Sequence, residues 1–206
     1  MAPGIRLTVS QDELIDISLG VQSDTSWDDL DEKNFLIAEA DIKPKFGDLQ
    51  GNYRIFIWQN GSEHTDADDA SNTTVEGAGF GINLDQQVMG FLTVFARLGF
   101  RSDDIAEYQY DTAWSMGAAV SGSLWGREHD TVGIAYGQAI LAGHYKDTLD
   151  DAGTASGNEG HFETYYSLEL NEYVTISPDV QIVTNAQGND DFETVWISSV
   201  RGQFTF

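Results

Sequence analysis

Hydrophobic and polar positions alternate with a period of two along most of the chain. Between 92 and 101, Leu92, Val94, Ala96, Leu98 and Phe100 fall on one side, and Thr93, Phe95, Arg97, Gly99 and Arg101 on the other. From 114 to 124, Trp114, Met116, Ala118, Val120 and Leu124 oppose Ser115, Gly117, Ala119, Ser121 and Ser123. A helix would need a period of 3.6, whereas successive side chains of a strand point to opposite faces. Between 161 and 170, His161, Glu163, Tyr165, Ser167 and Glu169 share one face against Phe162, Thr164, Tyr166, Leu168 and Leu170. Two glutamates and a histidine would make a poor dry core, so the second face of these strands is expected to be wet.

The pattern predicts about eleven strands, over 4–10, 14–22, 35–46, 50–59, 74–85, 90–101, 113–125, 131–144, 161–171, 173–184 and 193–206. Their connections alternate in length: those at 11–13, 47–49, 86–89, 126–130 and 172 are short, and the others are long and rich in Asp, Asn, Ser and Gly. Strands of about ten residues with alternating faces, short turns at one end and long loops at the other are the pattern of a transmembrane antiparallel β-barrel. A soluble jelly roll or sandwich also alternates, but it requires neither regular loop alternation nor a polar second face on strand after strand. The last strand favours the barrel, with Val200, Gly202, Phe204 and Phe206 on one face and Arg201, Gln203 and Thr205 on the other. A strand closing on a terminal aromatic is what the outer-membrane assembly machinery reads in such barrels, which makes that machinery an expected partner. With Phe206 on the periplasmic side, eleven strands put the first one's start outside. Closed single-chain bacterial barrels have an even count. Residues 1–206 are therefore expected to form a single β-barrel domain that is N-terminally incomplete.

Charge changes the picture in one respect. The 206 residues hold 34 Asp and Glu against 10 Lys and Arg, a formal net charge of −24, which excludes a phosphate-binding basic face and hence nucleic acid. The acidity is concentrated at 24–32 and 63–69 while 91–100 holds almost no charge, so the clusters read as solvated loops. There is no cysteine, hence no disulfide, thiolate site or cysteine nucleophile. No apolar run approaches the ~20 residues of a transmembrane helix, and residues 1–10 lack the basic and apolar regions of a signal peptide. A secreted barrel needs such a signal, so the chain is either soluble or begins upstream of Met1.

Several segments in order resemble the carbohydrate-selective porins of the OprB type in Gram-negative bacteria: GNYRIFIW (51–58), GFGINLDQQV (79–88), LTVFARLGF (92–100), LWGREHDTVGIAYG (124–137), HFETYYSLEL (161–170) and VTISPDVQIVTN (174–185). The resemblance covers about 35–206. It implies an outer-membrane porin barrel of about sixteen strands, passive and carbohydrate-selective diffusion, no chemical step and no cofactor. The chain departs from the family in lacking the N-terminal part and in its unusually acidic loops.

A pore that favours sugars needs hydrogen-bonding groups and aromatic surfaces without one overriding charge. Alternation offers Glu39, Asp41, Arg54, Trp58, Arg97, Glu163, Tyr165, Asp179, Gln181 and Arg201 for the path, together with Asn52, Arg127, His161 and Glu169. Of these Arg54, Arg97 and Glu163 are favoured, being near mid-strand within motifs. The bland reading of each is wall solvation and cross-strand pairing. Arg127 and Asp130 share a short turn, where a structural ion pair is expected. Tyr53, Trp114, Tyr136, Tyr166 and Phe204 read as an outward aromatic girdle against membrane lipid. The cluster at 66–69 lacks the spacing of a calcium loop, and His64, His129, His144 and His161 show no metal-ligand spacing. A barrel hydrolase is the enzymatic alternative, but His161 and Ser167, six apart on one strand, are roughly 20 Å distant, and no G-x-S-x-G is present. A soluble acidic sugar-binding β-domain is the other. Pattern alone leaves the sugar open, and equally whether the barrels are monomers or homotrimers.

Overall fold

The structure, a computed structural model, describes residues 3–23 and 34–206. The strands are β1 (Gly4–Gln11), β2 (Ile15–Ser23), β3 (Asn34–Ile42), β4 (Lys45–Phe46), β5 (Leu49–His64), β6 (Val75–Met89), β7 (Leu92–Arg101), β8 (Tyr110–Ser121), β9 (Thr131–Leu141), β10 (Glu159–Asn171), β11 (Val174–Thr184) and β12 (Val195–Phe204). Each long strand pairs antiparallel with the next in sequence, giving one meandering sheet in the order β1-β2-β3-β5-β6-β7-β8-β9-β10-β11-β12, with the two-residue β4 on β5 alone. The sheet does not close on itself: β1 and β12 each pair on one side only among the described residues. The expected acidic cluster at 24–32 lies outside the described residues.

The register carries the two-residue alternation from strand to strand without inversion. Ile17, Ala40, Ile55, Ile82, Leu98 and Trp114 succeed one another as cross-strand partners across β2 to β8, except that Ala40 pairs Ile55 on β5 past β4. On the opposite face the row Asp41, Arg54, Asn83, Arg97 and Ser115 does the same. One face is thus apolar and the other polar.

Among the described residues no second layer covers the apolar face. Leu7, Leu19, Ile57, Met116 and Ile134 are exposed, while Ile105, Leu141 and Ala142 are the buried apolar residues among those described. A soluble sandwich would bury this face against a second sheet, and an uncovered apolar surface of such extent needs a partner or a lipid phase. No helix of the described residues is long and apolar enough to cross a membrane.

Five of the expected strands differ from the sequence pattern. The strand expected over 35–46 breaks at Pro44, which has no amide donor for a ladder, and the chain turns into β4 and a tight turn with Gly47 at φ 67°. The strand expected over 113–125 ends at Ser121, whose side chain accepts from the Ser123 amide and caps a 3₁₀ turn over Gly122–Trp125. The strand expected over 131–144 ends at Leu141 and passes into a helix, α1 (Gly143–Asp151), which alternation does not predict. Finally β5 and β6 run for 16 and 15 residues, past the expected ten and twelve, and both carry bulges or irregularities in their pairing.

The buried apolar residues sit at the long-loop end. Loop 65–74 meets loop 102–109 through an Asp66–Ile105 bridge, with Ala67 N donating to Asp104 O at 2.8 Å and Ala106 N to Thr65 O at 2.9 Å. The segment entering α1 joins them: Ala142 N donates to Gln109 O at 2.9 Å, and His144 Nδ1 lies 3.1 Å from the Asp103 carbonyl oxygen.

Candidate functional site: the polar face of the sheet

Register places all ten predicted path residues on the polar face. Asp41 pairs with Arg54, Glu39 with Phe56, Trp58 with Gly79, and Arg97 with Ser115 and Asn83. Glu163 pairs with Gln181, Tyr165 with Asp179, and Arg201 with Ser177. They form two groups rather than one.

The first group spans β1 to β7 and holds four ion pairs, while Asp41 accepts from an amide. Arg6 donates to Glu39 at 2.9 Å and to Ser18 at 3.1 Å, and Lys43 meets Asp16 at 2.5 Å. Asn52 donates to Asp41 at 3.3 Å and accepts from Arg54 Nε at 2.8 Å. Arg54 Nη2 then reaches Asp85 Oδ2 at 3.3 Å, while Arg97 Nη2 lies 3.9 Å from Asp85 Oδ1 and its guanidinium sits 4.6 Å over the Phe95 ring. Asp85 therefore lies between the two favoured arginines. Alternation puts it on their face, but at the end of its expected strand beside a short turn nothing in the sequence links it to either arginine.

The second group, on β10 to β12, is a recess of about 450 Å³ that includes Glu163, Tyr165, Asp179, Gln181, Ser199 and Arg201. Asp179 accepts from Gln181 Nε2 at 3.1 Å and from Ser199 Oγ at 3.2 Å. Near the loop end, Glu159 accepts from His161 at 2.6 Å, from Tyr110 at 3.0 Å and from the Gln187 amide at 2.5 Å. His161 and Ser167, the hydrolase candidates, take separate positions on β10, opposite Gly137 and Thr131 of β9.

Aromatic rings on this face lie over glycines of the neighbouring strand. A Cβ at Gly79, Gly81, Gly117 or Gly133 would fall within 2.2 to 2.5 Å of the ring of Trp58, Phe56, Phe95 or Tyr165 respectively. Each glycine is the direct cross-strand partner of its ring. Rings paired with glycines are a sequence signal only once the register is known.

Loop 102–109 also falls on the polar side of the sheet. A Cβ at Gly77, the partner of Asn60, would meet Tyr108 Oη at 2.8 Å and Ile105 Cδ1 at 3.3 Å. Tyr108 stacks on the Arg101 guanidinium at 4.1 Å and beside His64 at 5.4 Å. The alternation of the strands gives no information about this inward fold.

Arg127 and Asp130 are a structural pair. The buried Asp130 carboxylate accepts from Arg127, from Tyr166 Oη at 2.6 Å and from the Glu169 amide at 3.0 Å, and Arg127 also donates to the Glu169 carbonyl at 2.8 Å. Arg127 beside it holds the Asp130 carboxyl down at about 2, against the opposing effect of burial. Arg127 thus lies in the turn and not on the wall. At 66–69 the acidic side chains serve the loop itself: Asp66 accepts from the amides of Asp68 and Asp69, and the Ser71 hydroxyl and amide hold the Asp69 carboxyl below the usual range. Tyr53, Trp114, Tyr136, Tyr166 and Phe204 lie on the apolar face, with Trp114 and Tyr136 edge to face at 5.7 Å and Trp125 Nε1 donating to Tyr166 Oη at 3.0 Å. No group of three or more His, Asp or Glu among the described residues is arranged to hold a metal ion.

Comparison with known proteins bears on this wall. The structure is similar to that of OprB from Pseudomonas putida, with a TM-score of 0.86 at 16% identity, over 98% of this chain and 58% of that one. It also resembles OccK11 from Pseudomonas aeruginosa (0.60, 8%, 98% and 58%) and a BenF-like porin from Pseudomonas fluorescens (0.60, 12%, 99% and 55%). These likenesses share the porin barrel fold, of which the chain spans a little over half the length. No curated protein matches the sequence. The family model for carbohydrate-selective porins of the OprB family matches residues 17–206, reaching further towards the N-terminus than the motifs do. A single-layer meander with one lipid-compatible face, one polar face and this match are consistent at every level: the chain belongs to the OprB family of carbohydrate-selective porins.

Proposed function

We propose that the polar face lines the lumen of a pore through which sugars diffuse passively, with no chemical step. The family's membership places the chain in the bacterial outer membrane, where lipid covers the apolar face. The observation that carries the reading is the contrast of the two faces. The apolar one carries exposed large side chains on β1 to β3, β5 to β10 and β12, and the polar one couples paired charges with ring surfaces. Such a wall offers donors, acceptors and stacking area to a neutral, hydroxyl-rich solute, and in the first group arginines and carboxylates offset one another's charge. Arg54 and Arg97 in the first group and Glu163 in the second contact the solute, with Glu39, Asp41, Trp58, Tyr165, Asp179, Gln181 and Arg201 completing the path. The two free edges of the sheet, together with the 58% coverage of the Pseudomonas putida protein, support a barrel closed by further strands. β12, exposed along its whole length, offers its edge to the assembly machinery.

Reconstitution of the full-length protein in liposomes tests the reading, with swelling rates measured for a series of sugars and for amino acids of similar size. Sugars are expected to enter faster than the amino acids. Entry no faster than in protein-free liposomes refutes a sugar pore.

A further inference from the structure

Tyr165 of β10 and Gly133 of β9 face each other across the strands on the polar side. A Cβ at position 133 would lie 2.2 Å from Cε1, 2.5 Å from Cζ and 2.9 Å from Cδ1 of Tyr165. Real Cβ atoms do not approach so closely, so the ring fills the volume that any other residue at 133 would claim for its own side chain. Held down in this way, Tyr165 is still 36% exposed.

Of the three equivalent rings elsewhere on the wall two are covered, and the third, Phe56 over Gly81, borders a separate recess with Asn83 and Arg97 that no carboxylate lines. The Arg97 guanidinium lies over Phe95, and Trp58 stacks on Phe35 at 5.9 Å. Among the described residues no ring or guanidinium covers Tyr165. Instead it borders the recess of about 450 Å³ with Glu163, Asp179, Gln181 and Ser199 around it, a size within the roughly 300–1,000 Å³ of small-ligand pockets. A pyranose has two apolar C–H faces and hydroxyls radiating near its plane. The ring accepts the face, and the surrounding carboxylates, amide and hydroxyl accept or donate to the hydroxyls. An acyclic polyol carries the same hydroxyls without a lasting flat face.

We propose that Gly133 is a positioning residue that seats Tyr165 as a stacking platform for pyranose rings, making the pore faster for cyclic sugars than for acyclic polyols of equal carbon number. This rests on the sugar-pore reading and adds a substrate class and a residue to it. The direct contact belongs to Tyr165, and Gly133 acts through the ring's position.

The test uses the full-length protein in liposomes, comparing swelling in a hexopyranose with swelling in a hexitol. The native protein is expected to favour the pyranose. Tyr165→Leu lowers that ratio by about threefold, as loss of one aromatic contact would, while Tyr165→Phe keeps it. Gly133→Ala lowers it by a similar factor although the tyrosine remains, and the double variant falls no further than either single one. Salt conductance close to native in each variant establishes that the barrel is intact. A native ratio that does not favour the pyranose, or one unmoved by Tyr165→Leu, overturns the platform while leaving the sugar pore standing. A lowered ratio in Tyr165→Leu with a native ratio in Gly133→Ala overturns the seat. If Gly133→Ala fails to insert, recovery of insertion in the double variant supports the seat, because the clash has been removed, and failure of the double overturns it. Entry of neither solute above the protein-free rate is the separate failure of the sugar-pore reading itself.

Discussion

Replacing Asp85 by asparagine removes a carboxylate that two guanidinium groups share. Arg54 Nη2 lies 3.3 Å and Arg97 Nη2 3.9 Å from it, and the side chain is 28% exposed. Pairs this wet contribute about 0.2–1 kcal/mol each to stability, so the barrel should tolerate the change. The larger effect falls on ions in transit. A unit charge at roughly 7 Å in a water-like medium is worth about 0.6 kcal/mol, with opposite signs for cation and anion. The difference of about 1.2 kcal/mol is close to an eightfold change in permeability ratio before screening. At 0.1 M salt a screening length of about 10 Å halves the energy, leaving roughly a threefold shift towards anions. Reversal potentials of single channels in planar bilayers under a KCl gradient measure it directly. Repeating the measurement near 1 M salt, where the screening length is about 3 Å, should nearly abolish the shift. A permeability ratio equal to that of the native channel at 0.1 M, or a shift equally large at both concentrations, refutes the placement of Asp85 beside the ion path. In a background of Arg54→Gln and Arg97→Gln the effect of Asp85→Asn on sugar flux should shrink, since groups in one network are not additive.

Adjacent residues of β9 test the assignment of faces. Ile134→Arg puts a charge on the apolar side at a cost of about 2–4 kcal/mol near the bilayer middle, whereas Ala135→Arg points to the polar side beside Glu163 and should fold; similar losses in detergent melting would count against the assignment. The Asp130 carboxyl, held at about 2 against an ordinary 3.8, binds its proton later in the folded than in the unfolded chain. Its stabilisation is therefore complete above about pH 4 and fades as pH falls from there towards 2. The native melting temperature should drop across that window, and that of Asp130→Asn should start lower and vary less; parallel profiles would sink the claim. Ile105→Ala empties a fully buried site under loop 102–109 and should cost about 2–4 kcal/mol, seen as faster amide exchange in 65–74 and 102–109 with the strands unaffected. Unchanged exchange there would mean that the loop is held by its hydrogen bonds alone.

How much of this was legible beforehand depends on the range of the forces involved. The faces of Leu92–Arg101 and of Glu159–Asn171 could be read directly, because strand alternation is a local steric property and each residue declares its side by its own polarity. The ten residues predicted for the path share one face for the same reason. The break at Pro44 was available from the missing amide, but the surrounding alternation outweighed it. The 3₁₀ turn after Ser121 is not legible, because Leu124 keeps the apolar parity of the strand although the Ser121 cap and the Asp130 carbonyl, which accepts from the Gly122 amide, have already turned the chain. Helix α1 has no amphipathic run to announce it. It is held by contacts from Ala142 and His144 to a loop more than thirty residues earlier in the chain.

The sequence by itself determined the strands, their two faces and the alternation of short and long connections, all of which follow from steric and hydration preferences acting within a few residues. Only the tertiary structure decided which side chains meet. Asp85 between Arg54 and Arg97, Tyr165 over Gly133 and the loop carrying Tyr108 over Gly77 all depend on the register between strands. A slip of one residue inverts a face and is excluded by hydrophobicity. A slip of two keeps every face and changes every partner, so it is settled by cross-strand packing and pairing, to which alternation is blind.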